Sequence, residues 1–133
     1  MWKEIGAAVV ANQVIGMLWY SPALFGNPWM KRTFGPTKRF QDIEQNPKVY
    51  ALTFAASVLS NCLLNYFLRQ LRVGTYEEAA QTGFVFSAFL TLMAVPHFAF
   101  AKRSYVLLAI DCGYDAAVVM CNSMLMMYIR NTF

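Results

Sequence analysis

Long apolar runs separated by short polar breaks set the pattern of this chain. Four runs reach the roughly 20 residues that a helix needs to cross a bilayer: residues 5–24, 49–68, 79–101 and 105–128. Only the last contains acids, Asp111 and Asp115. In lipid every backbone N–H and C=O must be satisfied within the segment, so runs of this length are expected as helices. The pattern predicts an all-α fold, a four-helix transmembrane bundle forming one membrane domain over residues 1–133.

The breaks carry their own signals. Trp19 and Tyr20 mark a membrane interface, and Pro22 ends the first helix by removing an N–H donor. Thr75 and Glu78 have capping-box spacing and start the third helix. The turns at 69–78 and 102–104 are short, so the second, third and fourth spans are expected as antiparallel neighbours. An even number of spans puts both termini on one face with Lys3, Arg69, Arg72 and Arg130. The other face holds Lys31, Arg32, Lys38, Arg39, Lys48, Lys102 and Arg103. The excess of Lys and Arg predicts that loops 26–48 and 102–104 face the cytoplasm or an organellar matrix.

Composition supports the membrane reading. Hydrophobic residues make up 58% and charged residues 14%, against about 25% charged in soluble domains. A soluble chain of this size could not cover so much apolar surface. The net charge of +4 comes from clusters at the loops, with no nucleic-acid recognition motif beside them. No nucleic-acid partner is expected. Cys62, Cys112 and Cys121 lie inside apolar runs without CxxC spacing and read as small apolar residues. The first run ends in Trp19, Tyr20, Ser21 and Pro22 instead of a small-residue cleavage site, so no cleavable signal peptide is expected. Loop 26–48 mixes Trp29, Phe34 and Phe40 with Lys31, Arg32, Lys38 and Arg39. That mixture suits either anionic lipid headgroups or a docked partner.

Each span carries small or polar residues spaced mostly by four, which share a helix face. They are Ala8, Asn12 and Gly16; Thr53, Ser57, Asn61 and Asn65; Ala79, Gly83, Ser87 and Thr91; and Asp111 and Asp115, with Asn122 beyond. Membrane helices use such stripes to approach closely and to bond across the interface. A rise of 1.5 Å per residue puts Asn12, Asn61, Thr91 and Asp115 roughly 15–18 Å below the basic loops, near mid-membrane. A carboxylate there costs about 2.5–3.5 kcal/mol on insertion scales and calls for a partner or a purpose. His97 lies at a depth close to that of Asp111, and a contact between them is expected. The cluster of Asp111, Asp115, His97, Asn12, Asn61 and Asn65 reads either as a proton or cation pathway or as a polar lock between helices.

Enzyme chemistry has little support. One histidine supplies neither a His-rich metal site nor bis-histidine haem ligation. There is no Ser-His-Asp arrangement, glycine-rich phosphate loop or paired-cysteine centre. No catalytic residue, metal or cofactor is expected, and the eight methionines read as packing.

The motif Trp19-Tyr20-Ser21-Pro22, followed by Phe25-Gly26 and Trp29-Met30, resembles the signature of the family called domain of unknown function 1761. The likeness extends to the capped turn before the third span and to Gly113-Tyr114 in the fourth. It implies a four-helix membrane protein whose motif closes the first helix. Members resemble one another in having an asparagine before the Gly-Tyr pair and a histidine after it; this chain has Asp111 and Asp115 there. Size and composition together suggest a non-catalytic accessory or scaffold subunit of a larger membrane complex. An energy-converting complex such as the respiratory chain or ATP synthase, in the mitochondrial inner membrane, is one such place. A small proton-coupled carrier using the intramembrane carboxylates is the alternative, and a small membrane enzyme on a lipophilic substrate a third.

Overall fold

The computed structural model describes residues 1–133 and contains five α-helices and no strand. They are α1 (Trp2–Trp19), α2 (Gly26–Phe34), α3 (Pro47–Gln70), α4 (Tyr76–Phe100) and α5 (Tyr105–Thr132), with one 3-10 turn at Phe40–Asp42. By length and composition α3, α4 and α5 can each cross a membrane, consistent with a membrane protein. The 18-residue α1 is not among them, because Lys3, Glu4, Asn12 and Gln13 dilute its apolar content.

Local chemistry explains where each helix starts and stops. The first apolar run does not continue helically to residue 24: α1 ends at Trp19, three residues ahead of Pro22. The proline ring excludes the residue before it from helical geometry and cannot donate to the preceding turn. Ser21 then closes the end, its Oγ donating to the Leu18 carbonyl at 2.7 Å. The loop at 26–48 contains the unforeseen helix α2, in which Pro28 sits in the first turn, where its missing N–H costs nothing. Gly35 stops α2 with φ of 99°, a backbone geometry that side chains resist. Asn46 caps α3 by accepting from the Lys48 N–H at 3.0 Å, with Pro47 in its first turn. The Thr75–Glu78 capping box forms as expected: the Glu78 N–H donates to Thr75 Oγ1 and the Thr75 N–H to Glu78 Oε2, both at 3.2 Å. Backbone N–H groups of Gly74 and Thr75 hold the Glu78 carboxyl below its usual range.

Helix α5 is the hub, packing against α1, α2, α3 and α4, and α1 also packs against α3. Helix α4 lies very close to α5 at Gly83, where a Cβ would sit 2.9 Å from Met120 Cα. A cluster of Ala8, Leu64, Leu68, Val73, Ala79, Met126 and Met127 forms the core at the end that carries the chain termini. Helices α3 and α4, expected as neighbours from the short turn between them, hardly pack: they meet near that end through Phe67 and Phe86 rings 5.1 Å apart, and α3 lies instead against α1 and α5.

A charged clamp closes the same end. Glu4 is 2% exposed, and its carboxylate accepts from Arg69 Nη2 at 2.8 Å, Asn65 Nδ2 at 3.0 Å and Arg130 Nε at 3.2 Å. The amino terminus lies 3.1 Å from the same group. One carboxylate thus ties α1 to α3 and α5. Burial works to raise the Glu4 carboxyl, but donors from Arg69, Asn65, the amino terminus and Arg130 outweigh it and hold it at about 2, against the usual 4.5. Glu4 precedes the apolar part of α1, which begins at Ile5.

Because the folded value is the lower one, the stabilisation is complete above about pH 4.5 and drains away as pH falls towards 2. Glu4→Gln is expected to cost about 1.5–3 kcal/mol at pH 7, the worth of a hydrogen bond to a charged group. Thermal unfolding in mild detergent at pH 7 and pH 3 checks it, since the gap to the wild-type chain should narrow at the lower pH. A gap independent of pH would place the carboxylate outside the clamp.

Candidate functional site

Two further polar nodes lie along α5, at its middle and towards the loop end. In the middle, Asn122 is fully buried and its Nδ2 donates to Asn61 Oδ1 at 2.9 Å and to Asn12 Oδ1. Asn12 Nδ2 donates onward to Ser57 Oγ at 2.8 Å, and Asn61 Nδ2 to the Ser57 carbonyl at 2.9 Å. Three helices are joined by amide–amide contacts, with almost all the hydrogen-bonding capacity turned inward. Asn12 and Asn61, candidates from their depth, meet here, whereas Asn65 belongs to the Glu4 clamp. Thr91, His97 and Asp115 take no part.

The loop-end node is built on Asp111. Its Oδ1 accepts from Tyr20 Oη at 2.8 Å and from the Trp29 indole N–H at 3.1 Å. Trp19 Nε1 donates to the Ile110 carbonyl at 3.0 Å. The rings stack around these bonds, with Trp19 on Phe25 at 4.8 Å, Tyr20 on Trp29 and on Tyr114 at 5.4 Å, and Trp29 on Phe34 at 5.9 Å. Gly26 lets the chain double back, because a Cβ there would collide with the Tyr20 carbonyl. The Trp19-Tyr20-Ser21-Pro22 motif is therefore a clasp: the proline stops the helix, the serine caps it, and the aromatics grip α5.

Other candidates fall differently. Asp111 bonds to the clasp, while the His97 side chain is exposed on α4 and makes no hydrogen bond. Trp29, expected at headgroups or a partner, turns its N–H inward to Asp111. Arg32 Nη1 donates to Ser104 Oγ at 3.1 Å and links the two basic loops. Lys31, Lys38 and Arg39 are exposed, and none forms an ion pair.

Between the middle node and the clasp the helices part. A groove of about 1290 Å³ opens among α1, α3, α5 and the loop after α2, with Leu90 of α4 on its wall. Gly16 and Thr53, the loop-ward ends of their stripes, line it together with Asp115, whereas Ala8, Asn61 and Asn122 further from the loops are buried. Asp115 faces it without a hydrogen-bond partner in the chain. No group of three or more His, Cys, Asp or Glu residues is placed to hold a metal ion.

The family model described as "protein of unknown function (DUF1761)" matches residues 4–127. The chain is a DUF1761 protein. No curated protein and no solved structure matches it. The matched stretch in this DUF1761 chain runs from Glu4 of the clamp through the aromatic clasp and the asparagine node to Met127 of the core.

Sequence reasoning missed the Glu4 clamp and the partners of Asp111. A lone acid at the head of an apolar helix, beside unpaired Arg69 and Arg130 at the same end, was the available signal for the first. For the second, nothing in the spacing shows that residues 20, 29 and 111 converge.

If the clasp depends on the Asp111 oxygen, Asp111→Ala should loosen α2 and speed tryptic cleavage within residues 31–39 about tenfold, for the loss of roughly 1.4 kcal/mol. Asp111→Asn keeps an acceptor at that position and should stay near the wild-type rate. Equal rates in all three proteins would remove Asp111 from the clasp.

Proposed function

We propose that this chain crosses the membrane four times, α1 included, and serves as a non-catalytic accessory or scaffold subunit of a larger membrane complex. One observation carries the reading. The buried Glu4 and asparagine side chains are spent on tying helices of the same chain together, while much of the apolar exterior lacks cover. Residues 47–56 of α3 are exposed on every face, and only 17% of the most apolar stretch of α3, and of α4, is buried within the chain. Such surface calls for lipid or a protein neighbour.

Inclusion of α1 is supported by its length: 18 residues give about 27 Å, close to the roughly 30 Å hydrocarbon core. Its two ends are tied to the same helix, at Glu4–Arg130 and Trp19–Ile110. The positive-inside rule favours the cytoplasmic or matrix side for loops 26–48 and 102–104.

A second reading, a small proton-coupled carrier, is favoured by Asp115 alone, the one carboxyl on the groove wall without a partner. A carrier loses transport with Asp115→Asn while its assembly survives; a scaffold loses its assembly or shows no change.

The protein extracted from its own membranes in mild detergent should migrate stoichiometrically with other membrane chains. Mass spectrometry would name them, respiratory-chain or ATP synthase subunits included. Migration as a monomer or a small multiple of 15.1 kDa would overturn the scaffold reading.

A further inference from the structure

The groove has three properties that together define an occupant. Its walls present carbon even where the residues are polar. Thr53 Oγ1 donates to the Val49 carbonyl at 2.8 Å, Ser60 Oγ to Ser57 O at 3.0 Å, and Tyr114 Oη to Asn12 O at 3.4 Å. Tyr20 Oη is held by Asp111, and Tyr50 Oη by Gln45. With those hydroxyls turned away, Met17, Met30, Leu90, Val118 and Val119 dominate the surface a ligand would meet.

The rim is cationic. Lys31, Lys38 and Arg39 line the groove on the loop side, exposed and without ion-pair partners. Depth is the third property. From the floor at Asn12 to the rim at Tyr20 is eight residues of helix, about 12 Å, against roughly 15 Å for one leaflet of the hydrocarbon core.

We propose that this groove is a specific site for an anionic phospholipid, its phosphate at Lys31, Lys38 and Arg39 and an acyl chain along the wall of α1, α3 and α5. The inference goes beyond the scaffold reading and stands whether or not the chain has protein partners. The cations fix the orientation, since Lys31, Lys38 and Arg39 are the basic residues of the lining and all lie at the rim, which leaves the head there. The volume of about 1290 Å³ exceeds the 300–1,000 Å³ usual for drug-sized ligands and suits a chain-bearing molecule. A protein helix could also fill an apolar groove, but it would leave the three rim cations without a counter-charge unless it brought its own.

The test uses the full chain in mild detergent, incubated with phosphatidylglycerol or phosphatidylcholine of identical acyl chains and read by native mass spectrometry. Phosphatidylglycerol should be retained about tenfold more than phosphatidylcholine, in keeping with the attraction of clustered Lys and Arg for acidic headgroups. The exposed triple variant Lys31→Gln/Lys38→Gln/Arg39→Gln should lose that preference. Met17→Trp, which puts bulk into the groove from an exposed position, should reduce retention of both lipids. Equal retention of the two lipids by the wild-type chain, or an undiminished preference in the triple variant, would overturn the proposal. Retention unaffected by Met17→Trp would place the lipid elsewhere and overturn it too. So would displacement of phosphatidylglycerol by inorganic phosphate alone, because the site would then read only the anion. A co-purifying protein that excludes both lipids would assign the groove to that partner instead.

Discussion

Amide hydrogen bonds in an apolar interior are the constraint from which the rest follows. Asn122 contributes nothing to the apolar surface of α5, and an unpaired amide among Met and Leu side chains would cost several kcal/mol. Its Nδ2 escapes that cost by donating to Asn12 and Asn61, while its Oδ1 stays buried without a partner, and the two bonds form only if α1 and α3 lie against α5 at one particular height. The Glu4 clamp imposes a second such height, at the end bearing the termini. Two fixed points on the same three helices determine their relative slide and rotation, which apolar packing alone leaves soft because lipid tails are as apolar as the side chains.

What these two points do not fix is the other half of the molecule. Beyond Asn12 and Ser57, α1 and α3 have no further bond to each other, and the small residues continue along both helices without being covered. The aromatic clasp on Asp111 secures α1 and α2 to α5 at the loop end and leaves α3 apart. The chain is closed where its core residues cluster and open towards its basic loops. The same stripe of residues serves as packing surface in one half and as groove wall in the other. That division gives the Trp19-Tyr20-Ser21-Pro22 motif a physical role, since it holds the open end together from one side only.

Much of this was legible in the residues. Helical periods, the capping box at Thr75 and the break at Pro22 locate most of the elements, because each acts through its own neighbours along the chain. The four-residue spacing and common depth of Asn12 and Asn61 announced an interhelical contact, but their partner is Asn122, seven residues beyond Asp115, and not Thr91 or Asp115. Hydrogen-bond partners were less readable. Asp111 was expected to meet His97 across the short 102–104 turn, but it bonds to residues 82 and 91 positions earlier in the chain. Sequence proximity across a hairpin says only that two residues share a height, and the rotation of α4 about its axis turns His97 outward. Helix α2 was hidden for another reason: its nine residues are short and on average polar, and the bond that seats it runs from Trp29 to Asp111 of α5.

The central claim is that Asn12 and Asn122 stabilise the fold through each other. A double-mutant cycle of Asn12→Ala and Asn122→Ala, followed by unfolding in mild detergent, measures that coupling directly. The account predicts that the two substitutions together cost less than the sum of their separate effects, by about 0.6–1.7 kcal/mol, the range found for hydrogen bonds between membrane helices. Strict additivity would contradict it and leave the asparagines as bystanders to apolar packing.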